Sequence, residues 1–263
     1  MLYYKSDRKV YFSGPFRKQN LTLFLIHGSA RWPGNEVIPL DEALALGKII
    51  VHDIKALKSL ALENISDDTV FIHAGSTVTV AQSRKTIAVD MLVPANSGIK
   101  HLPACPARHT GCEHTLFASY ELRRKLETLD SDSVDAHCQA LIEAFGHVPD
   151  NHGDAIGYAS AINGYVHRAE LFASSTLFKK LWPDLLKSIA AAGLLEQQSE
   201  NNIRAIDAMH IMAWFAAADI APKQSTQLID RVRTITKSGA RNFRHDTVDS
   251  NRLDVFHSSY MSY

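Results

Sequence analysis

The strongest constraint on the fold is an Asn-Gly pair between two strand-like runs near the middle of the chain. Residues 155–162 and 165–167 are rich in apolar and β-branched or aromatic side chains, and Asn163 and Gly164 separate them. Asn and Gly adopt the positive φ angles that a two-residue type I′ turn requires. The pattern therefore predicts a tight β-hairpin at this point of the chain.

The first third of the chain reads as strands with a short helix between them. Apolar runs rich in strand formers lie at residues 21–26, 48–52, 70–74 and 86–93, and a short helical run begins at Asp41. The later residues favour helices at 119–129, 133–145, 201–218 and 222–236. A further helix is expected after Ser174 or Ser175, either of which can cap it, and Pro183 kinks or divides that helix. Residues 241–260 predict a final strand pair that turns at 249–251.

These elements predict a single α+β domain over residues 1–263. We expect a mixed β-sheet with packed helices, and a C-terminal half that is mostly helical apart from the β-hairpin. The apolar share of 46% supports a sizeable buried core.

Charge and apolar patterning narrow the class of protein. Lysine and arginine number 28, as do aspartate and glutamate, which argues against strong nonspecific attraction to nucleic acid or to an anionic membrane, although a local basic patch stays compatible with nucleic-acid binding. Charged residues interrupt the first residues before a signal peptide could form, and the longest late apolar run, residues 211–218, is too short to span a bilayer. We expect a cytoplasmic protein without membrane contact.

Residues 75–114 hold the most distinctive polar chemistry, and 94–112 predict a long loop because prolines, glycines and basic side chains crowd there. Two thiols and two imidazoles within this stretch could form a tetrahedral zinc site. The alternative is buried thiols with solvated histidines. The four candidate ligands are Cys105, His109, Cys112 and His114.

A second candidate site uses an amide and a guanidinium. Gln82 and Arg84 fall on the same side of an extended strand, and arginine suits phosphate or carboxylate. Arg108 and His109 from the later stretch could complete an anion-binding cleft, with His109 or His114 as general base because imidazole titrates near neutrality. The alternative is an arginine paired with a nearby carboxylate.

Other motifs are weak or missing. Residues 150–154 form an acidic turn that lacks the carboxylate pattern of a calcium loop, so a plain turn is predicted. The sequence contains no Walker motif, no Gly-x-Ser-x-Gly elbow, no His-Glu-x-x-His pair and no Gly-rich dinucleotide fingerprint.

The order of several segments resembles a bacterial family, the ADP-ribosylglycohydrolase- and rhodanese-phosphatase-associated protein domain. The resemblance spans most of the chain and rests on the series rather than on any single motif. The segments are 20–24 (NLTLF), 40–47 (LDEALALG), 82–84 (QSR), 92–95 (LVPA), 162–164 (ING), 170–174 (ELFAS) and 177–188 (LFKKLWPDLLKS).

The resemblance implies a protein that acts alongside ADP-ribose handling and RNA repair. Gln82, Arg84 and Cys105 match the family pattern, whereas its Gly-Glu-Glu-Leu element reads Gly-Ser-Thr-Val at residues 75–78. Its Cys-Val-Glu-x-Gly-Arg-Trp element is also replaced after the cysteine. This chain is therefore identified as a divergent member, and the family's carboxylates at these positions have no counterpart in it.

Two functions follow as hypotheses. The first is binding, with hydrolysis as a further step, of an ADP-ribose-like or phosphorylated nucleotide ligand between the Gln82/Arg84 segment and residues 105–114. The second is a noncatalytic module that binds a protein partner and whose Cys/His loop is stiffened by zinc.

Overall fold

The computed structural model describes residues 2–5, 8–32, 37–52, 54, 58–80, 83–106, 131–196 and 203–262. The chain divides into two compact units. Unit 1 comprises Met1–Pro33, Arg124–Leu228 and Arg233–Tyr263, and unit 2 comprises Gly34–Arg123 and Ile229–Val232. The single domain over residues 1–263 stays a prediction, because this division does not test whether the units fold independently.

The protein is mostly β, with about 50% strand and 25% helix, so the predicted α+β class with a mostly helical C-terminal half is wrong. The helices are α1 (Leu40–Ala45), α2 (Ser131–Phe145), α3 (Ser175–Leu195) and α4 (Ala208–Asp219), with a 3₁₀ helix at Val148–Asn151. The strands before α2 are β1 (Leu2–Lys5), β2 (Arg8–Lys18), β3 (Leu21–Gly28), β4 (Val37–Pro39), β5 (Ile49–His52), β6 (Ser59–Asn64), β7 (Thr69–Ile72), β8 (Thr77–Val80), β9 (Ser83–Ile87), β10 (Met91–Val93) and β11 (Ser97–Pro106). Those after it are β12 (Ala155–Ile162), β13 (Tyr165–Phe172), β14 (Lys223–Ile229), β15 (Val232–Ser238), β16 (Asn242–Asp249) and β17 (Asp254–Ser262).

A nine-stranded sheet organises unit 1, in the order β1-β2-β3-β12-β13-β17-β16-β15-β14. The predicted hairpin is confirmed as β12 and β13, which pair antiparallel across the Asn-Gly turn. Asn163 has φ of 53° and Gly164 has φ of 81°, the left-handed geometry that selects these residue types. The expected strand pair near the C-terminus is also present, as β16 and β17.

Two helices pack against opposite faces of this sheet. Tyr158 on β12 meets Phe178 and Trp182 of α3, with ring centroids 6.5 and 5.6 Å apart. The next residue, Ala159, points to the other face because side chains alternate along a strand, and there it shares a buried cluster with Phe215 of α4.

The predicted start of α3 is confirmed, since the Ser174 side chain accepts a hydrogen bond from the Leu177 backbone N–H at 3.2 Å. Pro183 lies inside this helix without dividing it. The predicted helix at residues 222–236 is wrong, because these residues form β14 and most of β15. Most β14 side chains are exposed, so the strand lacks the apolar alternation that would have identified it.

Unit 2 contains a three-stranded sheet, β10-β7-β4, and a five-stranded sheet, β5-β6-β11-β9-β8. The predicted long loop at residues 94–112 is wrong over residues 97–106, where β11 pairs first with β6 and then with β9. Pro103 lies where β11 changes partner. The Pro103 carbonyl accepts a hydrogen bond from the Ala88 N–H, and the Ala104 N–H donates to the Lys58 carbonyl. The hydrogen bonds of the sheet therefore do not require the backbone N–H that proline lacks.

Among the described residues, the helices are too short or too polar to cross a lipid bilayer.

Candidate functional site

Two of the residues singled out from the sequence are described, and both lie in unit 2. Arg84 on β9 is exposed, and its Nη2 donates to the Thr77 hydroxyl at 3.1 Å. Cys105 on β11 is half-buried, lies opposite Thr86 and is disulfide-bonded. A zinc site that uses Cys105 would therefore require the reduced form, because zinc binds the thiolate.

The other predicted ligands and catalytic groups fall outside the described residues, so the nucleotide cleft and the zinc site stay predictions. They are Gln82, Arg108, His109, Cys112 and His114.

A different set of polar side chains converges in unit 1, on three neighbouring strands of the nine-stranded sheet. Ser13 lies on β2, His27 lies near the end of β3, and Asp154 comes directly before β12. The register places Ala155, the first residue of β12, opposite His27. Strand pairing therefore brings together residues separated by 14 and 127 positions in the chain.

The three side chains form a continuous hydrogen-bonded chain. Ser13 Oγ lies 2.7 Å from His27 Nε2, and His27 Nδ1 lies 2.9 Å from Asp154 Oδ1. A neutral imidazole that donates from Nδ1 to the carboxylate keeps its lone pair at Nε2, where the serine hydroxyl can donate to it. Nucleophile, base and orienting carboxylate thus stand in the order that activated serines use.

A tyrosine completes the arrangement. Tyr11 lies opposite His27 in the strand register, and the two rings stack with centroids 4.6 Å apart and planes 8° apart. The Tyr11 hydroxyl donates to Asp154 Oδ2. Asp154 therefore accepts a hydrogen bond at each carboxylate oxygen.

These contacts shift the pKa values of Asp154 and Tyr11. The hydrogen bond from Tyr11 holds the pKa of Asp154 below its ordinary value; partial burial opposes this, and His27 adds to the lowering. The same hydrogen bond raises the pKa of Tyr11. Asp154 is therefore an anion at neutral pH, and Tyr11 keeps its proton.

The site combines burial of the base with access to the other groups. The His27 side chain is 3% exposed and that of Asp154 is 51% exposed, while Ser13 is half-buried. Gly14, next to Ser13, has φ of 110°, and a Cβ there would lie 2.9 Å from the Leu23 carbonyl oxygen. A glycine is thus required for the bend of β2 beside the serine.

A second polar cluster in unit 1 is buried and joins a guanidinium, two carboxylates and two hydroxyls. Arg244 on β16 donates from Nε to Asp246 at 2.8 Å and from Nη1 to Asp219 at 2.5 Å. Ser258 donates to Asp246 at 2.6 Å, and Tyr260 donates to Asp219 at 2.8 Å. We call these five residues the Arg244 cluster.

The Arg244 cluster has the properties of a buried structural ion-pair network rather than of a reaction centre. The Arg244 side chain is 5% exposed, and those of Asp246 and Asp219 are 6% and 16% exposed. Burial opposes the charge of Arg244, yet the two carboxylates beside it raise its pKa. Burial also raises the pKa of Tyr260, so a charged guanidinium faces a neutral phenol.

The sequence contains only weak indications of the Ser13 site. The sequence predicts a plain turn at the acidic residues 150–154, and Asp154 is the last of them. His27 ends an apolar strand, a position where a polar side chain needs a partner when buried. Neither feature reveals Ser13, because the three residues meet through strand pairing and not through local spacing.

The fold and the site together define a mostly β protein in which a serine, a histidine and an aspartate are hydrogen-bonded in series on a sheet. The histidine is buried, whereas the serine and the aspartate are partly exposed. Residues 9–105 and 119–261 match the model of a protein family, the ARG and Rhodanese-Phosphatase-superfamily-associated Protein domain. The chain belongs to this family. No curated protein and no solved structure matches the chain.

Proposed function

We propose that this protein is a hydrolase in which Ser13 is the nucleophile, acting on an ADP-ribose-like or phosphorylated nucleotide ligand. His27 takes the proton of Ser13 as general base, and Asp154 orients the imidazole and stabilises its charged form. The observation that carries the proposal is the continuous chain from Ser13 Oγ through His27 to Asp154, at 2.7 and 2.9 Å.

The burial pattern supports a catalytic role for this chain of residues. A buried imidazole shielded by the Tyr11 ring is held in one orientation, while the half-buried serine stands at the surface side. Precise orientation of a base against its nucleophile is what lowers the barrier of such reactions.

The choice of ligand rests on the family and on the sequence. The family description links the domain to the ARG and rhodanese-phosphatase superfamilies, and ARG read as ADP-ribosylglycohydrolase suggests an ADP-ribose-linked setting.

A fluorophosphonate probe tests the nucleophile. We expect one covalent adduct on the peptide that contains Ser13, identified by mass spectrometry, and its loss in Ser13→Ala. Ser258→Ala is the matched control, because Ser258 donates directly to Asp246, whereas Ser13 pairs with the His27 imidazole. Unmodified Ser13 after prolonged exposure to the probe, with the protein folded, would remove the proposed mechanism.

Calorimetric titration tests the ligand separately. The Ser13→Ala protein is titrated with ADP-ribose, AMP and ribose, and we expect binding of the two phosphorylated compounds and none of ribose. A labelled Ser13 together with no binding of either nucleotide would keep the hydrolase and discard the nucleotide ligand.

A further inference from the structure

Asp154 has both carboxylate oxygens in use, and this limits the reactions that the Ser13 site can perform. Oδ1 accepts from His27 at 2.9 Å, and Oδ2 accepts from the Tyr11 hydroxyl. A carboxylate held in this way orients its partner. As an anion it carries no proton for a leaving group, and both of its oxygens are engaged with His27 and Tyr11 rather than directed at a sugar carbon.

Cleavage of a glycosidic bond needs more than this arrangement offers. Enzymes of that kind commonly place two carboxyl groups on either side of the bond, one as acid and the other as nucleophile or base. Among the described residues in hydrogen-bond or ring contact with the Ser13–His27 pair, Asp154 supplies the carboxylate, and Tyr11 and His152 supply neighbouring rings. The groups present suit a serine that attacks a carbonyl carbon.

We propose that the bond cleaved is a carboxylic ester carried by the ligand, and that Tyr11 is a positioning residue for the reaction. This inference rests on the function proposed above and names the chemical class of its substrate. Ser13 Oγ attacks the ester carbonyl while its proton passes to His27 Nε2. The C–O bond to the alcohol then breaks, and His27 returns the proton to the departing alkoxide.

Water completes the reaction. It attacks the acyl group on Ser13 and gives a proton to His27, and the carboxylic acid leaves as Ser13 regains that proton. No oxidant or reductant is consumed. Asp154 stays ionised throughout, because the hydrogen bonds from Tyr11 and His27 hold its charge.

Tyr11 acts through its hydroxyl and its ring together. The hydroxyl fixes the second oxygen of Asp154, so the carboxylate cannot rotate away from His27. The ring lies over the imidazole at 4.6 Å and limits tilting of the base. Removing the hydroxyl while keeping the ring should therefore slow the reaction without weakening substrate binding.

The first experiment compares bonds of different class. Wild-type protein is given an acetyl ester of ADP-ribose, an ADP-ribosyl N-glycoside of arginine, and p-nitrophenyl acetate as a simple ester. We expect release of acetate from both esters, an acetyl group on the Ser13 peptide after rapid acid quenching, and no cleavage of the N-glycoside. The acetylated peptide should be missing in Ser13→Ala.

The second experiment tests Tyr11. In Tyr11→Phe we expect kcat for the simple ester to fall by about tenfold with KM unchanged, as the loss of a hydrogen bond to a charged group implies. The carboxyl ¹³C resonance of Asp154 should titrate at higher pH than in wild type. Tyr165→Phe is the control, because Tyr165 is a tyrosine that is 65% exposed on the same sheet.

The outcomes separate the two proposals. Fluorophosphonate labelling of Ser13 with cleavage of the N-glycoside but of neither ester would overturn the ester inference and keep the hydrolase. An unchanged Asp154 titration in Tyr11→Phe would overturn the role of Tyr11, whether or not the protein turns over. No labelling and no turnover of any substrate would overturn the function, and the ester inference with it.

Discussion

The Ser13 site and the Arg244 cluster use similar side chains on the same sheet but differ in how completely each group is enclosed. In the Arg244 cluster every named side chain is mostly or wholly buried, and its charges are tied to one another. At the Ser13 site the base is buried while Asp154 is half-exposed and Ser13 is half-buried. Enclosed charges that are paired with one another serve the fold, whereas a partly open chain ending in a hydroxyl leaves a group available for reaction.

The largest difference between the two regions should come from Asp154→Asn. An amide does not supply the negative charge that orients and stabilises the His27 imidazole, so kcat/KM should fall on the order of 10³-fold or more. The thermal unfolding midpoint should change little, because Asp154 is half-exposed. Steady-state kinetics and a thermal melt on the same preparation measure the two effects. Full activity in this variant would remove Asp154 from the mechanism.

Arg244→Met should show the opposite pattern. Two carboxylates would lose their buried counter-charge, which is expected to lower the free energy of unfolding by about 3–5 kcal/mol. Labelling of Ser13 per folded molecule should be unchanged, since the cluster lies at a different part of the sheet. Urea unfolding checks the first effect. Lys187→Met is the control, because Lys187 and its partner Asp184 are both largely exposed, and its cost should stay below about 1 kcal/mol.

The smallest effect concerns pH. The folded pKa of Asp154 lies below its unfolded value, so its ionised form favours folding above the unfolded pKa, and this contribution disappears as the pH falls through the folded pKa. Tyr11→Phe removes the main cause of the lowering. The difference in unfolding free energy between wild type and variant should be at most about 1 kcal/mol near neutral pH, because the carboxylate is half-exposed.

Urea unfolding of both proteins from neutral to acid pH checks this prediction. The gap between the two curves should close on the acid side, where Asp154 is protonated in both. A gap that stays constant over the whole range would mean that the Tyr11 hydroxyl stabilises the fold independently of the charge on Asp154.

The parts of the fold that the sequence predicts are those decided by neighbouring residues. The hairpin at Asn163 and Gly164 and the cap at Ser174 each depend on side chains a few positions apart, and both are confirmed. The strands β14 and β15 were read as a helix because their exposed polar residues lack an apolar alternation. Their extended form is set by pairing within the sheet, which only the assembled fold supplies.

The candidate site shows the same limit more sharply. Ser13 and His27 lie on adjacent strands, and Asp154 comes from a turn 127 residues after His27. No local sequence motif therefore indicates that the three side chains are in contact. The prolines of β11 misled in the other direction. Pro103 suggests a loop, yet it occupies the point where the strand changes partner and needs no donor.

The position of Asp219 has a consequence for how the helix α4 opens. A carboxylate at the end of a helix is disfavoured by the partial negative charge of the terminal carbonyl groups. Here Arg244 and Tyr260 both donate to it, so unwinding the last turn would break both hydrogen bonds and leave the buried Arg244 with Asp246 as its remaining carboxylate partner in the cluster. Fraying, which is the usual fate of a helix terminus, is therefore coupled to disruption of β16 and β17, and the backbone amides of the last turn of α4 should exchange with solvent as slowly as those of the sheet.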